Sequence, residues 1–412
     1  MHNIMTTMQQ KLLPKLAKFG NLKYMIVLRD GMIITIPFTI FGSIFMIIAQ
    51  LPIPGWANII KPFAPALNAC VTVTFGILAL IVAMGISYQA AKANKMDPMS
   101  TTAIGTIAFL MSMLNNKLTI DPAQLGSGGI FTAIVICILT VEVMRFCINH
   151  NWVITLPDSV PPAVANSFSS LIPGAAALSV VWIIRVVCNI DINSIVTMIF
   201  SPLVVGLSSI WGVELAIFLV CLLWTVGIHG TNIVGSIYTP VFLTFLTQNI
   251  NAVAKGKAPI NITADGFLNF GMTIGGTGAI LGLVFCMFTA KSKRYQAMRN
   301  LSIMPAIFNI SEPVMFGVPV VLNPTLMIPF ILVPMILQFI TYFLMKFHII
   351  GMIVAQVPWT TPTIISGFLM TGGDWRAAVW QAIELIFAIL AYYPFFKSLD
   401  RQALKQEEAG NN

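Results

Sequence analysis

One carboxylate stands out in a chain that has few of them. Glu312 lies in the stretch Asn309-Ile-Ser-Glu-Pro-Val-Met-Phe-Gly-Val-Pro-Val-Val-Leu-Asn-Pro324, which is apolar enough for a membrane yet broken by Pro313, Gly317, Pro319 and Pro324. Proline removes a backbone donor and clashes with the preceding turn, so this stretch cannot run as one straight helix. At membrane depth, broken backbone survives only where protein buries it or where it lines a watery cavity. An ionisable residue there is a candidate functional group by default. The bland alternative is a charged turn in an apolar loop. A carboxylate so placed can hydrogen-bond ligand hydroxyls, and it can accept a proton from a hydroxyl attacking phosphorus.

Two further breaks carry polar groups. Gly227-Ile-His-Gly-Thr-Asn-Ile-Val-Gly-Ser-Ile-Tyr-Thr-Pro240 places His229 and Asn232 among glycines. A lone histidine in an apolar chain is commonly structural. Interrupted hydrophobic segments in the second half of a transporter, however, point to a substrate site, so His229 is read as a ligand contact. The third break contains Pro358-Trp359-Thr360-Thr361-Pro362. An aromatic ring flanked by hydroxyls suits a sugar, whose C–H face stacks while its hydroxyls hydrogen-bond. A tryptophan of the membrane interface explains Trp359 as well.

The elements that hold these breaks follow from composition. Of 412 residues, 57% are hydrophobic and only 9% charged, where a soluble domain has about a quarter charged. The chain is therefore expected to be an all-α polytopic membrane protein. Its net charge of +8 sits in short basic clusters between apolar runs, as the positive-inside rule requires, so no nucleic-acid partner is implied. The six cysteines are scattered without metal-ligand or disulfide spacing, and no metal site is expected. Walker and Rossmann motifs are absent, and no cofactor is expected. The N-terminus lacks the form of a cleavable signal.

Apolar runs suggest about ten transmembrane helices, among them spans near 31–51, 68–90, 98–114, 129–148, 168–188, 267–290, 325–347 and 375–395. Two re-entrant segments and an N-terminal amphipathic helix over 4–28 complete the pattern. The run 195–228 is too long for one helix, is interrupted by Pro202, Gly206 and Gly212, and is read as an amphipathic or hinged helix followed by a true span from about 213. The run 267–290 carries Gly271, Gly275, Gly276, Gly278 and Gly282, a composition that suits close helix approach. Glu142 and Arg145 share a helix face as an ion pair. Charge placement puts both termini in the cytoplasm. Residues 1–190, poor in site-like groups, form a scaffold and dimerisation half. Residues 191–396 form the substrate half, and 397–412 a cytoplasmic tail.

The segments LRDGM (28–32), LPDSVPPAV (156–164), GIHGTN, NISEPVMFGVPVVLNP and PWTTP together resemble the membrane-embedded IIC component of bacterial sugar phosphotransferase systems, in the lactose/cellobiose/diacetylchitobiose family. The resemblance covers nearly the whole chain, and the glutamate-proline segment is its most specific part. It implies a dimeric, ten-helix permease of the bacterial cytoplasmic membrane that binds a disaccharide. A separate phosphorylated IIB protein then transfers phosphate from a cysteine to the sugar C6 hydroxyl. It also implies His229, Glu312 and Asn232 as site residues, with Arg29, Trp359 and Thr360 beside them, and assigns Glu312 the catalytic role. The phosphate donor is expected on another chain, docking against loops 150–165 and 291–300. The alternative is an ion-coupled secondary transporter of a small polar solute, which would need an ion gradient rather than donor proteins. The scarcity of acids within the spans favours the permease.

Overall fold

Every regular element of the protein is a helix among residues 22–49, 55–157, 159–318 and 320–410, which the computed structural model describes. That is the outcome hydrocarbon imposes, because a helix satisfies its own backbone donors and acceptors. The helices pack into two units. One is formed from Phe19–Gly42 and Pro65–Val205, the other from Ser43–Ala64 and Gly206–Asn412. The principal helices, in chain order, are α1 (Lys23–Met32), α2 (Thr35–Ala49), α3 (Ala64–Phe75), α4 (Leu78–Ala93), α5 (Pro98–Ser112), α6 (Ile130–Asn149), α7 (Leu171–Trp182), α8 (Ile192–Ser208), α9 (Ile210–Thr225), α10 (Gly230–Ala254), α11 (Leu281–Cys286), α12 (Lys293–Ile307), α13 (Glu312–Gly317), α14 (Pro324–Lys346), α15 (Ile365–Met370) and α16 (Trp375–Gly410).

In the first unit, α4 is the central helix and packs against α1, α5 and α6. Leu78, Val82 and Ile86 of α4 are fully buried, as is Phe109 of α5. Small residues permit the approach. A Cβ on Gly85 would stand 2.2 Å from the Gly31 carbonyl oxygen, and one on Gly105 would stand 2.1 Å from Ser87 Oγ. Close backbone contact of this kind replaces the hydrophobic drive that lipid cannot supply. The expected pair of Arg145 and Glu142 is present, and Glu142 also meets Lys23 at 3.4 Å. Arg185 is buried in a π-helical turn, Ile183–Val187, and donates to the Leu114 carbonyl and to Asn116.

Among the described residues, seven helical stretches are long and apolar enough to cross a membrane, or eight if the bent pair α8–α9 counts as one. That pair turns by 84° at the expected hinge. Ser209 caps α9 through Gly212 N–H, and a side chain at Gly212 would strike the Gly206 carbonyl oxygen at 2.1 Å. Helix α5 has only 15 residues, about 22 Å of rise, which is short for a hydrocarbon layer of about 30 Å. Residues 1–21 of the expected amphipathic helix lie outside the described residues. The part after them is α1, with Val27 and Met32 buried.

The stretch 267–290 departs from the continuous span its composition suggests. It consists of a short 3-10 turn, a loop, the six-residue α11 and another 3-10 turn. Gly275, Gly276 and Gly278 adopt φ of +77°, +103° and +88°. That left-handed region favours glycine and interrupts a helix. These glycines therefore make a loop rather than a helix–helix seam. The C-terminal segment also differs from a free tail: α16 continues to Gly410. Asp400 accepts the Lys291 and Ser292 N–H groups at 2.9 and 3.0 Å, and Glu407 accepts those of Lys293 and Arg294 at 3.0 and 2.9 Å. These carboxylates satisfy the otherwise unpaired donors at the start of α12.

Candidate functional site

His229 is placed by the reversal between α9 and α10. Gly227 turns the chain with φ +86°. His229 then caps α10, its Nδ1 accepting the Asn232 N–H at 3.3 Å. The imidazole packs on Trp224 with centroids 4.3 Å apart. The next residue must be glycine, because a Cβ at 230 would lie 2.1 Å from the Val220 carbonyl oxygen. With Nδ1 accepting, the proton of a neutral ring resides on Nε2. Nε2 stands 4.0 Å from Glu312 Oε1, and both side chains are close to half exposed. Asn232 is exposed in the first turn of α10.

Glu312 reaches this position through the expected break. Helix α12 stops at Ile307, Asn309 turns with φ +63°, and α13 starts at Glu312 with Pro313 in its first turn. Proline is tolerated there because the first-turn N–H would lack a helical partner in any case. The chain returning from this break is tied to the end of α9, just before the histidine, since Leu322 N–H donates to the Thr225 carbonyl at 2.7 Å.

Asn309 joins three breaks at once. Its Nδ2 donates to the carbonyls of Trp359 and Thr361 at 2.8 and 2.9 Å, and its Oδ1 accepts Gly275 N–H at 3.0 Å. The loop of glycines lies directly against the glutamate segment, and a Cβ on Gly276 would meet Ser311 Cβ at 2.6 Å. Thr277 and Thr231 are 3.3 Å apart, which links the same loop to α10. Trp359 is 57% exposed, and Thr360 is partly exposed beside it. The segments bearing His229, Glu312 and Trp359 are thus hydrogen-bonded to one another within one unit. Arg29 belongs to the other unit, where it pairs with Asp30 at 2.7 Å.

Long helices satisfy the irregular backbone around this centre. Gln338 of α14 donates to the Phe267 carbonyl at 2.9 Å. Gln381 of α16 accepts from the N–H groups of Ile364 and Gly367 and donates to the Asn269 carbonyl. Tyr392 donates to the Gly278 carbonyl at 2.6 Å. Asn249 of α10 spans Asn261 and Ile353 in the same manner. Without such partners each orphaned backbone group would cost several kcal/mol in a membrane, roughly. Sequence reasoning missed these amides, and it missed two acids. Glu214 in α9 and Glu384 in α16 are both buried, and Glu384 accepts from Thr341 Oγ1 at 2.7 Å. In the loop after α10, burial pushes the Asp265 carboxyl up to about 6, opposed by a hydrogen bond from Gln356.

What the arrangement can do is specific. An exposed imidazole and carboxylate face each other across a gap too wide for a direct hydrogen bond. A hydroxyl oxygen about 2.8 Å from each would donate to the carboxylate and accept from Nε2–H. The backbone of the exposed Trp359 is tied to the Glu312 segment through Asn309. Residues 29–334 match the family model described as "Phosphotransferase system, EIIC". The chain is similar to the lichenan permease IIC component of Bacillus subtilis (strain 168), with 36% identity over 99% of this chain and 96% of that one. It is similar to the cellobiose-specific EIIC component of Geobacillus stearothermophilus, with 37% identity over 99% and 97%. A lactose-specific EIICB component of Streptococcus mutans is 29% identical over 97% of this chain but 73% of its own length. The crystal structure of the transporter ChbC, the IIC component from the N,N'-diacetylchitobiose-specific phosphotransferase system, superposes with a TM-score of 0.92 at 36% identity, covering 97% and 99% of the two chains.

Proposed function

The chain belongs to the phosphotransferase system EIIC family, and from that premise we propose that it is a disaccharide permease whose sugar is bound between His229 and Glu312. The substrate class is that of cellobiose, diacetylchitobiose or lactose, in keeping with the names of its relatives. The protein works in the bacterial cytoplasmic membrane as a homodimer of about ten transmembrane helices with two re-entrant segments, both termini in the cytoplasm. Asn232, Trp359 and Thr360 contribute to binding. The observation that carries this reading is the facing pair, His229 Nε2 and Glu312 Oε1, 4.0 Å apart and accessible.

The chemistry follows from that pair. The sugar C6 hydroxyl, oriented by Glu312, attacks the phosphorus of a phosphocysteine on a separate IIB protein. The new O–P bond forms as the S–P bond breaks. The thiolate leaves on IIB, and the hydroxyl proton passes to Glu312. Phosphoryl transfer asks mainly for positioning and charge stabilisation, which a fixed loop provides.

The test is equilibrium sugar binding beside phosphotransfer with purified donor proteins. Glu312→Gln keeps size but loses charge and basicity. It is expected to weaken binding by about one to two decades, the cost of a charged hydrogen bond, and to slow transfer further. His229→Ala weakens binding by a similar amount. Parent-like binding and transfer by Glu312→Gln would reduce Glu312 to a structural residue. The buried carboxylates Glu214 and Glu384 favour a second reading, an ion-coupled transporter. Uptake into vesicles that needs an ion gradient and no donor proteins would establish that reading instead.

A further inference from the structure

Helix α16 carries a surface that the sugar site does not use. Val379, Ile383, Ile386, Leu390 and Tyr393 follow at intervals of three and four residues and are between 42% and 68% exposed. That spacing places them on one helix face. The same face continues as Lys397, Arg401 and Lys405, four residues apart, and there it borders an open cavity of about 580 Å³. Its described lining comes from α16 alone, between Tyr393 and Lys405, and includes no carboxylate, so it is an open face of the helix.

The nearby acids hold backbone groups, and Asp400 also attracts Lys397 electrostatically. Asp400 and Glu407 hold the backbone N–H groups at the start of α12. Glu408 stands about one turn beyond Lys405 and is exposed. Lys397 spends one of its three protons on the Thr289 carbonyl, at 2.8 Å. Arg401 makes no hydrogen bond or ion pair among the described residues. The position along the membrane normal is set as well. At 1.5 Å per residue, a layer of about 30 Å takes about twenty residues. A span that enters at Trp375 therefore leaves near Tyr393, with an aromatic at each rim as interfaces favour.

We propose that this face of α16 holds an anionic phospholipid, with an acyl chain along Val379–Leu390 and the phosphate between Lys397 and Arg401. Both halves of the surface are needed to choose the occupant. A soluble acidic protein would meet the cations but not the apolar stripe at membrane depth. Free phosphate would gain nothing from that stripe. A second copy of the chain, related by a two-fold axis along the membrane normal, would press each cation against its own counterpart.

The full-length protein is reconstituted in nanodiscs holding equal phosphatidylglycerol and phosphatidylcholine, and the lipid retained after extraction is counted by native mass spectrometry. The parent is expected to retain phosphatidylglycerol preferentially. Arg401→Gln lowers that preference about fivefold, and the double change with Lys397→Gln about 25-fold, following the contribution of single basic groups at an anionic surface. Lys257→Gln, off this face, leaves it unchanged. Sugar binding in phosphatidylcholine alone is parent-like for Arg401→Gln, which shows that the variant is folded. Parent-like retention of phosphatidylglycerol by Arg401→Gln and by the double variant would overturn the proposal. So would release of the lipid by millimolar inorganic phosphate but not by chloride of equal ionic strength, since the cavity would then be a small-anion site.

Discussion

At the scale of single residues, the centre of the site is less its ligand contacts than Asn309. One amide group connects the loops of Gly275, Glu312 and Trp359, using two donors and one acceptor. Asn309→Asp keeps the size and the acceptor but turns an oxygen toward two carbonyl oxygens. Losing these donors, with two part-buried carbonyls left unpaired, costs about 1–3 kcal/mol. Sugar affinity should therefore fall by roughly tenfold or more, although residue 309 is not among the proposed sugar contacts. Equilibrium binding to protein that elutes as the parent does on size exclusion checks this. Unchanged affinity would remove Asn309 from the support of the site. The residue was present in the stretch that drew notice to Glu312, but its role was not legible there. An asparagine before a turn reads as a local left-handed residue, whereas its partners lie 34, 50 and 52 positions away. The breaks that carry His229 and Glu312 were legible for the opposite reason, since glycine and proline in an apolar run announce themselves locally.

At the scale of elements, the breaks matter as much as the helices. The α8–α9 hinge and the Glu312 break were readable because glycine, proline and a capping hydroxyl mark a helix end without reference to anything distant. The loop within 267–290 was not readable, because a run of glycines in apolar sequence fits helix packing and left-handed turns equally well. Only the neighbours decide. Gly278 has φ +88°, and a Cβ there would stand 2.2 Å from the Phe330 ring. Gly278→Ala meets both backbone strain, about 1–2 kcal/mol, and a clash with a fully buried phenylalanine. A loss of roughly 3 kcal/mol is expected, seen as a lower midpoint in thermal unfolding of the detergent-solubilised protein. The same change at Gly256, where φ is +70° but no atom lies within 4 Å, should cost only the strain. Equal losses at the two positions would show that packing against Phe330 contributes nothing.

At the scale of the whole molecule, the proposed sugar contacts His229, Glu312 and Trp359 fall in one of the two compact units. The unit of Phe19–Gly42 and Pro65–Val205 lacks His229, Glu312 and Trp359, while the other holds all three. We expect the homodimer to form mainly through residues 31–188. Single cysteines placed there, in a background with the six native cysteines replaced, should crosslink to their own counterparts in the membrane. Crosslinks restricted to the sugar-site unit would contradict this. One further property follows from the two carboxylates that pin the end of α16 to the start of α12. They make the C-terminal end of the helix a fixed anchorage beside the basic turn Lys291–Arg294. A catalytic partner grafted there would be tethered rather than free, and its encounters with the membrane subunit would become intramolecular. Its effective concentration would be in the millimolar range for a short flexible linker, roughly, and would fall as the linker lengthens. Phosphate delivery in such a fusion would no longer depend on how much of the donor the cell makes.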